Sequence, residues 1–393
     1  MKICAIISEF NPFHNGHKYL IDEIKKQGFT HIISIMSGDF VQRGEPAILS
    51  KESRTKMALL NGVDLVIEIP ATKVLNSAEK YAEAAIKIAK SLGCVDSLAF
   101  GSECGKIKIL ERLTKILENK NFEKILKKYI SLGNSYPKAK SLALKEFSND
   151  DELVSALESP NNILGIEYLK AIKKLKVKIK PITINRNGKF LSSSEIRNLI
   201  LNKSAIYKNY IPNTSAKLIE KETEIGIAPS TLENAERAIL YRLKNFSTKD
   251  FLKISYVSEG LENRILFSLP NVKSIDDLLK NIKTKRYTMA RIKRILLLVF
   301  LGITKSKQKR KMPYIKILGV NTEGLKILKK AKITAIIPLV SKYKEIKKLG
   351  NKALDFFETE CKISEMCCMF SKDMAPCKNQ KAFQIIKGEE IDI

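Results

Sequence analysis

A chain of 393 residues with 44% hydrophobic and 28% charged residues has the composition of a globular protein and excludes the disordered and fibrous classes. At that length two domains are expected, each with its own buried core. The net charge of +28 favours a polyanion such as RNA or DNA as partner, unless a chain-wide Lys and Ile bias accounts for it without any partner.

Residues 3–8 are an apolar run of strand length, closed by Glu9-Phe10-Asn11-Pro12-Phe13, and His17 opens a segment with Leu20, Ile21 and Ile24 at helical spacing. The alternation recurs, with strands expected at 31–37, 64–70 and 97–101 and helices at 51–61 and 78–91. Buried strands alternating with amphipathic helices imply a parallel sheet covered on both faces, with ligand sites at the C-terminal ends of the strands. A helical insertion is expected at 106–157, followed by a helix at 163–172, a fifth strand at 180–184 and a helix at 194–201. The fold class is therefore α/β: a Rossmann-like parallel-sheet domain over 1–205, then a mostly helical, basic domain over 206–393. Helices are expected there at 216–221, 232–243, 258–269, 275–282 and 288–301. Short apolar runs at 315–318 and 334–339 around a helix at 323–330 suggest a small α/β appendage.

The apolar stretch 295–303 is too short to cross a bilayer, which takes about 20 residues, and is expected to be a buried helix. Seven cysteines are an odd count, and the chain opens directly on a strand with no secretory signal, so a reducing cytoplasm is the expected location. Four of them, Cys361, Cys367, Cys368 and Cys377, crowd the tail at a spacing unlike paired zinc knuckles, and no metal site is expected.

Three sequence features carry chemistry. Of three histidines in the chain, His14 and His17 sit three apart at the mouth of the first strand and flank Asn15 and Gly16. A helix N-terminus offers unpaired N–H groups and partial positive charge; imidazoles beside it add donors for phosphate oxygens, and Gly16 lets a nucleotide approach the backbone. Donors aimed at an α-phosphate and a leaving pyrophosphate would lower the barrier to adenylation. The second feature, Leu191-Ser192-Ser193-Ser194-Glu195-Ile196-Arg197, is an ordinary capping box or a phosphate site, with Arg197 tipping it toward anions. The third is the polar loop 36–46, in which Asp39, Gln42 and Arg43 are candidates to hold a small substrate, the alternative being a solvated turn.

The stretches Ser8 to His17, Ser37 to Ala47 and Ser159 to Gly165, with Lys285-Arg286-Tyr287-Thr288, Arg291 and Pro313 to Gly319, together resemble the bacterial tRNA(Met) cytidine acetate ligase family over nearly the whole chain. The resemblance implies a nucleotidyltransferase-like domain that activates acetate with ATP to acetyl-adenylate and acetylates the wobble cytidine of elongator tRNA(Met) to N4-acetylcytidine. It also implies that ATP lies along Ile7, Ser8, Glu9, Phe10, Asn11, Pro12, Phe13, His14, Asn15, Gly16, His17, Lys18, Tyr19 and Leu20, close to Gly101, with polar contacts from Asn162 and Arg186.

Between Asn281 and Asn321 no acidic residue occurs, and Lys285, Arg286, Arg291 and Arg294 are the expected contacts to the tRNA backbone. His14, His17, Ser193 and Arg197 are the expected catalytic set, and Mg²⁺ would accompany the triphosphate without an acidic cluster to hold it. Two other functions remain open at this point: an adenylyltransferase acting on a small phosphorylated acceptor, and a non-catalytic ATP-sensing RNA-binding protein. Oligomeric state is left undetermined.

Overall fold

The computed structural model describes residues 1–186, 188, 190–374 and 385–388. Its strands, in chain order, are β1 (Ile3–Ser8), β2 (His31–Ser37), β3 (Phe40–Val41), β4 (Glu45–Pro46), β5 (Leu65–Ile69), β6 (Ser97–Ser102), β7 (Lys180–Asn185), β8 (Ile315–Val320), β9 (Leu339–Val340) and β10 (Ile386–Lys387). Among the described residues the main sheet runs β10-β8-β5-β2-β1-β6-β7, with β9 beside β8. From β5 to β7 the five central strands are parallel.

The apolar strand runs are continuous because both faces are covered. Ile3 and Ala5 of β1, with Ile33 and Ile35 of β2, enter a core formed with the helices 78–92 and 107–174. Cys4, Ile6, Ile32 and Met36 point the other way, into a core closed by helices α1 (Asn15–Lys26), α2 (Lys51–Leu60), Ser193–Leu201 and Asn213–Glu224. This period-two division is what a doubly covered parallel sheet requires.

The chain lays down β1, β2 and β5 outward in one direction, then returns to place β6 and β7 on the other side of β1. The reversal leaves a crevice between β1 and β6 at their C-terminal ends, where ligands bind in such sheets.

Four helices fill 107–158, as the insertion predicted. Helices at 236–244, 261–268, 275–282 and 289–300 form a separate helical core around Ile292, Ile295, Leu296 and Val299. The apolar stretch at 295–303 is its centre. No helix among the described residues is long and apolar enough to cross a membrane.

The expected α/β appendage is corrected. Segment 315–320 pairs antiparallel with β5 and so completes the main sheet, because a bare β5 edge would leave buried N–H and C=O groups without partners. The expected strand at 334–339 shrinks to β9. The preceding helix runs on to Thr334, Ile333 and Ile336 are exposed, and Pro338 has no N–H to give to a ladder.

Candidate active site

The crevice is a cavity of about 700 Å³, within the usual size of small-molecule sites. Its floor is the β1–α1 loop. Phe10 takes a left-handed φ of 44°, rare outside glycine, and turns the chain sharply off the strand. His14 is then the N-cap of α1: its Nδ1 accepts from Gly16 N–H at 3.0 Å, and His17 Nδ1 accepts from His14 N–H at 3.2 Å. The two imidazoles thus form a reciprocal capping box, the role Ser and Glu usually take.

That geometry sets the tautomers. A neutral imidazole whose Nδ1 accepts carries its proton on Nε2. His14 Nε2–H therefore donates to Ser193 Oγ, 3.0 Å away, and His17 Nε2–H has no partner among the described residues. Burial, with Arg186 and Arg197 nearby, brings the His14 pKa down to about 3. Burial and His14 push His17 well below its ordinary value. Protonation at Nδ1 would also set a donor against a backbone N–H, so geometry and electrostatics agree on two neutral histidines.

Both folded-state values lie below the unfolded one, so the unfolded chain takes up more protons as pH falls. The stabilisation is complete above about pH 6.5 and is lost progressively below it. Between about pH 6.5 and 5 stability is expected to fall by up to roughly 1.4 kcal/mol per pH unit for each histidine, read as a falling melting temperature. His14→Asn, which caps without titrating, should flatten that limb. Glu9, raised by burial, titrates with opposite sign in both proteins and cancels in the comparison. Equal slopes for the two proteins would rule out this assignment.

A second helix N-terminus meets the first through the His14–Ser193 bond. Ser192 caps the helix Ser193–Leu201 by accepting from Glu195 N–H, and Glu195 returns a bond to Ser192 N–H. The expected capping box is present, and the helix start it caps faces the cavity through Ser192, Ser193 and Ser194. Arg197 donates to the Asn11 carbonyl at 2.9 Å and to Ser194 Oγ at 3.1 Å, tying this helix to the histidine loop. Arg43, Arg186 and Arg197 line the cavity with the two histidines, giving it the donors and charge of an anion site.

Gly16 and Gly101 allow this close approach. A Cβ on Gly16 would lie 2.8 Å from His14 Cε1, and one on Gly101 3.1 Å from Arg186 Cγ.

The structure sorts the expected site residues. Ile7, Ser8, Glu9, Phe10, Asn11, His14, Gly16, His17, Tyr19, Leu20, Gly101, Arg186, Ser193 and Arg197 face the cavity. Phe13 is instead wholly buried in the core, and Lys18 pairs with Asp22 at 2.5 Å. Neither Pro12 nor Asn15 lines the cavity; Asn15 Nδ2 donates to Asn209 O at 3.4 Å. Asn162 is corrected as well: buried, it accepts from Glu103 and Cys104 N–H and donates to Ala156 O, so it shapes the loop after β6. Its neighbour Asn161 lines the cavity.

The expected substrate loop divides. Gln42 and Arg43 face the cavity, whereas Asp39 sits in a buried network with Lys51 at 3.0 Å and Ser364 at 2.6 Å. Sequence reasoning passed over Tyr81, Phe100 and Tyr168, which form an aromatic wall. They lie inside helices and a strand, where an aromatic residue reads as core. Ser192 and Ser194 were legible in the serine run.

The basic segment is also re-sorted. Lys285 and Arg286 are exposed beside Arg264 and Tyr287 on an open notch. Arg291 is engaged with Tyr256 O at 2.9 Å and Glu259 at 3.3 Å. Arg294 is buried, because it lies on the packed side of its helix. Cys4, Cys94, Cys104, Cys361 and Cys367 form no disulfide among the described residues, and Cys377 lies outside them. No group of three or more His, Cys, Asp or Glu placed to hold a metal occurs among the described residues.

Residues 1–382 match the family model described as HIGH Nucleotidyl Transferase. The chain is 43% identical to the tRNA(Met) cytidine acetate ligase of Caldicellulosiruptor saccharolyticus, over 84% of this chain and 85% of that one. It is 39% identical to the protein of the same name from Clostridium kluyveri, over 95% and 96%. Among solved structures it is similar to Thermotoga maritima TmcAL bound with alpha-thio ATP, with a TM-score of 0.92 and 30% identity, covering 98% of this chain and 100% of that one.

Proposed function

The chain belongs to the tRNA(Met) cytidine acetate ligase family of HIGH nucleotidyl transferases, and on that premise we propose that it joins acetate to a tRNA(Met) cytidine at the expense of ATP. The observation that carries the reading is the His14–Ser193 bond, which brings two helix N-termini and three arginines to one cavity at the sheet's switch point. ATP is bound with its triphosphate over these donors. An acetate oxygen attacks the α-phosphorus, the bond to pyrophosphate breaks, and negative charge grows on the α-phosphoryl oxygens and the leaving group. The Nε2–H groups of His14 and His17, with Ser193 and Arg197, are the donors for that charge, and Arg43 and Arg186 add cations. The cytidine amino group then attacks the acetyl carbonyl and AMP leaves.

The carboxylates at the cavity are already engaged: Glu9 with Gln42 N–H, Glu45 with Lys293, Glu103 with Asn161 and Asn162. Any Mg²⁺ would therefore be held by phosphate oxygens and water. In this reading residues 1–205 carry catalysis and 206–393 present tRNA, with the returning strand β8 fastening the second part to the first, and the enzyme works in the cytoplasm.

Pyrophosphate release with acetate and bacterial tRNA, followed by nucleoside analysis, tests the reading. Acetate-dependent release with new N4-acetylcytidine is expected. Release independent of acetate would point to an adenylyltransferase, and ATP binding without release to a sensor.

Lys285→Ala and Arg286→Ala are expected to weaken tRNA binding for all sequences alike and to reduce the salt slope of log K by about 1 each. Filter binding across a salt series checks this; unchanged slopes would place the RNA elsewhere.

A further inference from the structure

We propose that Arg294 is a positioning residue for the ATP site, seating the 40–46 hairpin so that Gln42 and Arg43 face the cavity. The inference rests on the adenylating reading above. Arg294 lies within the helix Met289–Phe300 and is 8% exposed. Among the described residues it has no ion pair to a carboxylate, and its Nε is buried without an acceptor. A buried cation so poorly compensated is costly, so its contacts call for a role beyond packing.

Those contacts close a ring. Arg294 Nη1 donates to the Gln42 carbonyl at 3.2 Å. Gln42 Nε2 donates to Asn76 O at 2.9 Å, and Asn76 Oδ1 accepts from Tyr256 O–H at 2.9 Å. The Tyr256 ring in turn lies 5.5 Å from the Arg294 guanidinium, within cation–π range. From the cavity side the Glu9 carboxylate accepts from Gln42 N–H at 2.7 Å. Gln42 is thus held through its N–H, its C=O and its side chain.

The turn of the hairpin is fastened to the same helix. Gly44 has φ of +84°, and a Cβ there would come within 2.4 Å of Arg294 N and 2.8 Å of Lys293 C. Lys293 pairs with Glu45 on the outgoing strand. Among the described residues no hydrogen bond and no salt bridge within 4 Å fixes the Arg43 side chain, and its place over the cavity follows from how the hairpin is seated.

The test uses the full chain with Arg294→Met, Arg294→Lys and Gly44→Ala. It reads ATP affinity by calorimetry, KM for ATP and kcat in acetate-dependent pyrophosphate exchange, tRNA affinity and melting temperature. Arg294→Met is expected to weaken ATP affinity and kcat/KM by about 10- to 100-fold and to leave tRNA affinity within about twofold. Arg294→Lys should recover part of the loss through its single ammonium donor. Gly44→Ala should reproduce the loss by lifting the hairpin with Arg294 intact, and together with Arg294→Lys it carries the test should Arg294→Met fail to fold.

Loss of tRNA affinity with unchanged ATP affinity would overturn the proposal in favour of a direct RNA contact. A lower melting temperature with unchanged ATP affinity and kcat/KM would overturn it in favour of a packing role. If the wild-type chain binds ATP without acetate-dependent exchange, the adenylating reading fails, while the ATP affinities still decide the role of Arg294.

Discussion

His14→Ala is expected to reduce acetate-dependent pyrophosphate exchange by about 10²–10³-fold, the usual loss when one preorganised donor to a developing anion is removed. The donor is Nε2–H, fixed on that nitrogen because Nδ1 already accepts from Gly16 N–H. Alanine removes two things together, the donor and the helix cap, and a lost cap costs about 1 kcal/mol. His14→Asn separates them. Asn is among the best N-cap residues, so this variant should melt close to wild type and still lack the donor that reaches Ser193. Low exchange in both variants with normal melting in Asn assigns the loss to chemistry. Normal exchange in either would remove His14 from the mechanism.

Arg54→Met is expected to cost about 3–5 kcal/mol of stability, the range in which breaking a buried hydrogen-bond network falls. Arg54 is wholly buried and has no salt bridge to a carboxylate within 4 Å among the described residues; its acceptors are backbone carbonyls. Nε donates to Leu49 O at 3.2 Å, Nη1 to Glu9 O at 2.7 Å and Ser37 O at 3.0 Å, and Nη2 to Gly38 O. The Glu9, Ser37 and Gly38 carbonyls lie where β1 and β2 end and the two loops that line the site begin, and Leu49 lies just before α2. Methionine fills the space but leaves them buried and unpaired, at about 1–3 kcal/mol each without strict additivity. Removing the guanidinium also relieves its own desolvation, which keeps the net cost below the sum. Urea unfolding should show the loss as a lower midpoint, and ATP affinity should fall with it. A change under about 1 kcal/mol would mean that water or rearranged backbone satisfies the carbonyls.

Much of the α/β core could be read from local pattern. The runs at 3–8 and 31–37 are too uniformly apolar for a strand with one wet face, and the later helices at 51–60 and 78–92 carry their own caps, Ser50 and Ser77. The two histidines of the β1–α1 loop were legible because histidine is scarce here and because strand, glycine and helix followed in the order an anion site needs. Asn162 and Asn161 show the limit of that reading. Both stand at one helix start, and their sequence does not say which turns inward to hold the 102–105 loop and which faces the cavity.

The basic segment shows the same limit in charge. Lys285 and Arg286 lie before the helix begins and remain exposed, but Arg291 and Arg294 lie within it, where exposure depends on what packs alongside. Tyr256 and the 40–46 hairpin come from far away in the chain, and only their arrival turns a charged face into a buried joint. The strand at 315–320 likewise looks self-contained until β5 presents an edge that needs it.

By itself the sequence determined what depends on neighbours along the chain: strand and helix types, the helix start at the first loop with its two histidines, and the family. The tertiary structure alone decided what depends on residues brought from a distance: the proton positions on His14 and His17, the division of the 36–46 loop between the cavity and the Lys51 network, and the burial of Arg294. The physical reason is that backbone pattern is encoded within a few residues, whereas desolvation and hydrogen-bond partnership are properties of the packed surroundings.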